Sequence, residues 1–104
     1  MQNEKQTHNP EPFYIVRGDR SGVFFGRIVS REGREVELTD CRRIGYWSGA
    51  ASLSQLAAEG VKKPENCNIT LSVQSLTILD AIELIPCSDD AVRNIQAVPE
   101  WKIK

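Results

Sequence analysis

The hydrophobic period of this chain switches in its middle, between Trp47 and Leu53. On the N-terminal side apolar residues alternate with polar ones, as in Val36 and Leu38 set against Glu35, Glu37 and Thr39. On the C-terminal side Leu53, Leu56 and Ala57 recur at the spacing of one helical stripe. Alternation then returns with Ile69, Leu71 and Val73. A chain patterned this way lays one helix on an antiparallel sheet, because alternating α/β folds need helices between successive strands.

The ends of that helix are written in the sequence. Ser52 followed by Gln55 fits a capping box, and Ser48 is an alternative N-cap one turn earlier. Gly60 can take the left-handed conformation that closes a helix, with Val61 as its hydrophobic contact. A second, short helix is expected near 89–96. Ser88 caps it, Asp89 and Asp90 complement its dipole, Val92 and Ile95 form its stripe, and Pro99 stops it.

Strands are expected over Pro12–Arg17, Val23–Ser30, Arg34–Thr39, Arg42–Trp47, Ile69–Gln74 and Leu79–Ile85, with a hairpin turn at Arg31–Arg34 in which Gly33 supplies positive φ. Strand 12–17 is apolar on both faces, so it is either interior or covered by a second copy, and a homo-oligomer is expected. Pro64 lies in a loop, and Trp101 is expected to anchor the C-terminus. Residues 1–11 are polar and aperiodic, which reads as a disordered tail ahead of a single β-rich domain over 12–104. The expected fold class is α+β, mainly antiparallel β, curled or closed into a small barrel, with one central helix near 50–59.

The segment CRRIGYWSGAASLSQLAAEG, residues 41–60, concentrates the chain's polar and aromatic chemistry. Alternation sets Arg43 and Trp47 on one strand face and Arg42, Ile44 and Tyr46 on the other. A small-residue turn then leads into a helix N-terminus, whose unpaired N–H groups attract anions. Arg42 or Arg43 could clamp a phosphate and Tyr46 or Trp47 could stack on a ring. The candidate ligand-binding residues are therefore Arg42, Arg43, Tyr46, Trp47, Ser48, Gly49, Ser52 and Ser54, and the ligand an anionic, phosphorylated or nucleotide-like molecule. The alternative is scaffold, with aromatics in the core, serines as caps and arginines paired to carboxylates. The turn lacks the glycines and lysine of a phosphate loop or dinucleotide fingerprint.

Other chemistry is sparse. The single histidine, His8, lies in the polar tail, so no Ser-His or Cys-His arrangement is readable and no enzyme is expected. Cys41, Cys67 and Cys87 are far apart and form no metal-ligand spacing, and no cofactor is specified. The net charge of −1 argues against nucleic acid and anionic membrane as partners. No apolar run approaches membrane-spanning length, so the chain is expected to be soluble in a reducing cytoplasm.

The stretches GVFFGRIVSREGREVEL, RRIGYWSGAASLSQLAAEGVKKPENC and AIELIPCSDDAVRNIQAVPEWKI resemble a family of small proteins of unknown function from tailed phages and prophages. The resemblance implies an accessory protein of an infected bacterial cell that works by binding a small molecule or a host protein, or else a structural, virion-associated oligomeric subunit. It implies no catalytic residues.

Overall fold

The computed structural model describes residues 12–103, so the polar segment read as a tail lies outside the described residues. Six strands, β1 (Phe13–Gly18), β2 (Val23–Glu32), β3 (Glu35–Tyr46), β4 (Asn68–Ile69), β5 (Val73–Ile78) and β6 (Ala81–Pro86), join two helices, α1 (Leu53–Glu59) and α2 (Asp89–Gln96). All pairings are antiparallel, and the lateral order is β4-β3-β2-β1-β6, with β5 also on β3. The α+β reading holds. The sheet is curled but not closed. Strands β5 and β6 are separated only by Leu79 and Asp80, yet one pairs with β3 and the other with β1. So short a link between strands flanking opposite sides of a three-strand meander forces the sheet to bend round.

Two expected strands, 34–39 and 42–47, are one. Phe25 pairs with Arg42 and Arg27 with Thr39, so Gly26 faces both Asp40 and Cys41 across a β-bulge. Asp40 takes the left-handed conformation there, with φ 52°. Gly26 leaves room for the bulge, since a Cβ on it would come within 3.2 Å of Cys41 Cα. The bulge reverses the alternation of β3. Val36, Leu38 and Cys41 face the hollow of the curl, while Ile44 faces the helices.

Both sheet faces are therefore covered. On one side Phe13, Ile15, Phe25, Ile44 and Ile69 pack with Leu56 and Ala57 of α1 and Ile95 of α2. On the other, Val16, Phe24, Val36, Leu38 and Ile78 fill the curl. Strand β1 contributes to both and lies between β2 and β6. Its two apolar faces are thus covered within one chain, which removes the reason for which a second copy was expected there.

Other boundaries differ locally. The chain from Asn68 to Ile78 runs antiparallel to β3 as one interrupted edge strand, and Leu79–Asp80, expected to begin a strand, is a bend. Asp80 accepts from Ser21 Oγ (2.5 Å) and from the N–H groups of Arg20 (2.7 Å) and Ser21 (3.1 Å), tying this bend to the β1–β2 turn. These bonds, the Ser21 hydroxyl first, hold its carboxyl below the usual range.

The three cysteines are free. Burial pushes the Cys41 thiol up to about 11 and the Cys87 thiol up to about 12 from an ordinary 9.0. At pH 8 their thiolate content, and hence their labelling rate, should lie about 100-fold or more below that of a free thiol. Titration with an aromatic disulfide should find at most one fast thiol in the native chain and three in urea; a second fast native thiol contradicts this packing. The unfolded chain releases these protons first, so stability should fall as pH rises above 9.

Candidate functional site

Strand β3 delivers both arginines of the 41–60 segment, and the bulge at Asp40 decides where each goes. Arg42 turns towards the helices and is 5% exposed. Its Nε donates to Thr70 O (2.6 Å), Nη1 to Ile95 O (2.7 Å) and Nη2 to Ile69 O (3.1 Å). One planar guanidinium thus joins β3, the β4 end and the last turn of α2. Burial lowers its pKa and the Glu100 carboxylate opposes that shift. Arg43 points the other way, lies over the Phe24 ring at 4.6 Å and donates to Ser21 O at 2.8 Å.

Arg43 and Trp47 do not share a face, contrary to simple alternation. The β3–β4 register slips between Ile44 and Tyr46. Past the slip, Trp47 packs against the helix-side core, with its indole N–H on Ala50 O at 3.3 Å, and Tyr46 stands 57% exposed.

The turn into α1 closes on itself. Gly49 has φ 89°, and a Cβ there would come within 2.5 Å of Lys62 N and 2.7 Å of Lys63 N. The Lys62–Lys63 backbone packs directly against Gly49, whose carbonyl accepts from Lys62 N. Ser48 N–H meets Cys67 Sγ. Ser52 is the N-cap, accepting from Gln55 N at 3.1 Å, while Gln55 Oε1 takes the Ala51 N–H at 2.7 Å. Helix α1 therefore begins later than the expected 50. Ser54 is exposed on its first turn. Neither guanidinium donates to residues 48–54.

The structure assembles a different concavity beside Arg42, a cleft of about 240 Å³ walled by Phe13, Phe25 and Val98, with Asp40, Gln96 and Glu100 at its polar margin. Asp40 is paired with Arg27, whose guanidinium lies over the Phe13 ring. Asp40 with Arg27 and Glu100 with Arg42 balance one another, so the cleft offers no excess of positive charge to draw a phosphate. Sequence reading missed this cleft because its residues, Ser72 among them, come from five separated segments.

Aromatic surface is concentrated elsewhere, at the β4 margin of the sheet. Tyr46 pairs with Asn68, and Trp101 donates its backbone N–H to Ile69 O at 2.9 Å. The backbone, not the ring, anchors the C-terminal segment, since Trp101 is 59% exposed. No helix among the described residues is long and apolar enough to cross a membrane.

A family model described as a domain of unknown function (DUF6948) matches residues 13–95, from the start of β1 into the last turn of α2. No curated protein and no solved structure matches the chain.

Proposed function

Given that the chain belongs to the DUF6948 family of unknown function, we propose that it is a non-enzymatic accessory protein whose partner is another protein. One contrast carries this reading. Both arginines of the central segment are tied to the chain's own carbonyls, whereas Tyr46 and Trp101 stand more than half exposed at one sheet margin. A phosphate site needs free donors converging on a vacancy. A protein-binding surface needs large, rigid, amphipathic side chains in the open. The likeness of residues 22–38, 42–67 and 81–103 to small phage and prophage proteins supports a setting in the cytoplasm of an infected bacterium, with a host protein as the partner.

Photo-crosslinking tests this. A photoreactive phenylalanine analogue at Tyr46 or Trp101, in the full chain expressed in bacteria, should capture a discrete polypeptide. The same group at Glu35, on the far hairpin, should not. Calorimetry with mono-, di- and cyclic dinucleotides should give no heat. Micromolar nucleotide binding that Arg43→Ala abolishes, with an unchanged melting temperature, overturns the proposal.

A further inference from the structure

The curled sheet leaves two long edges, and they are built differently. Strand β6 carries Glu83, in an ion pair with Arg17 at 3.7 Å, and ends at Pro86. Charge and proline on an edge are the usual protections against unwanted pairing. Strand β5, VQSLTI, has no charge, proline or glycine, and from Asn66 to Leu79 no residue is charged. Among the described residues its one strand partner is β3, and its outer row of backbone N–H and C=O groups has no ladder.

We propose that β5 pairs antiparallel with β5 of a second copy across a two-fold axis at Ser75, joining two curled sheets into one. A two-fold contact places a patch against itself, so a charge on the axis would meet its own like; Ser75 and the rest of β5 carry none. Two exposed leucines flank β5 and select the register. Leu71, 43% exposed, lies four residues before Ser75, and Leu79, 71% exposed in the bend that ends β5, lies four after. An axis at Ser75 brings Leu71 of each copy opposite Leu79 of the other, Val73 opposite Thr77, and Ser75 opposite itself. Four exposed leucines are covered together, and small side chains meet at the centre, where two strands approach most closely. A foreign peptide would have no such built-in match. β5 continues the edge strand that β4 begins, but its residues include neither Tyr46 nor Trp101, so substitutions at Ser75 test dimerisation without altering the aromatic surface.

Sedimentation of the full chain over a range of concentrations should show a reversible dimer. Ser75→Lys and Ser75→Glu each place like charges face to face and should weaken the dimer about tenfold or more. An equimolar mixture of the two variants should restore it, because opposite charges then meet across the axis. Ser75 is exposed, so at concentrations where the parent is monomeric both variants should melt like it. Hydrogen exchange on the unmodified chain gives an independent reading, with β5 amides slowing as concentration rises. A strictly monomeric chain overturns the proposal. So does a dimer indifferent to Ser75→Lys, or β5 amides that exchange at the same rate at every concentration.

Discussion

Arg42→Ala should destabilise the protein by about 3–5 kcal/mol and lower its melting temperature by about 15–30 °C. The guanidinium is the hydrogen-bond partner of three carbonyls, those of Ile69, Thr70 and Ile95. Truncation removes all three contacts and opens a void beside Phe13 and Val98. Arg42→Lys keeps the charge, but a single ammonium cannot span three acceptors held in a planar fork, so it should recover only part of the loss. Arg43→Ala, one residue away, removes a contact over Phe24 and one bond to Ser21 O from an exposed side chain, and should cost about 1 kcal/mol or less. Urea denaturation of the three variants decides the matter. An Arg42→Ala chain as stable as Arg43→Ala would show that the carbonyls find other partners and that Arg42 is not the tie between sheet and helix.

That pair also shows where sequence reading succeeds and where it stops. Opposite faces for Arg42 and Arg43 follow from alternation alone and are observed. Which face lies under the helices depends on the bulge at Asp40, and no pattern in TDCRR marks an extra residue. The element types were legible because their signals are local: Ser88 ahead of α2 with two aspartates in its first turn, Gly33 in the hairpin, Ser52 ahead of α1. Contacts between distant segments were not. Arg42 reaches Ile95 across 53 residues, and nothing near either residue announces the other. That the Lys62–Lys63 backbone packs against Gly49 in the turn before α1 is another such long-range contact. Trp101 read as an anchor because aromatics are usually buried, yet here the tether is its backbone N–H. Strand β1 read as needing a partner because its apolar residues fall on both faces. The curl of the sheet, a property of the β5–β6 link, supplies that cover within the chain.

The same long-range logic makes Gly60 the second sensitive position. It ends α1 with φ 78° and ψ −155°, a region in which only glycine is at ease. Its buried Cα lies against Asn94 of α2, whose amide accepts from Val61 N and donates to Val61 O, both at 2.8 Å. A Cβ at residue 60 would overlap the Asn94 amide and approach its Cβ to 2.8 Å. Gly60→Ala therefore strains the backbone and expels the side chain that clamps α1 to α2, with an expected loss of about 3 kcal/mol or more. Gly33→Ala is the control. Gly33 also has positive φ, 61°, but a Cβ there meets nothing within 4 Å, so only the conformational cost of about 1 kcal/mol remains. Asn94→Ala removes the clamp and the two nearest atoms of the obstacle, leaving only the approach to the residue 94 Cβ, and in that background Gly60→Ala should cost less than in the parent. The two substitutions should thus fall short of additive, by about the worth of the lost clamp. Strictly additive free energies in a urea double-mutant cycle would show that the strain at Gly60 is backbone strain alone, and that the Asn94 amide does not hold the two helices together.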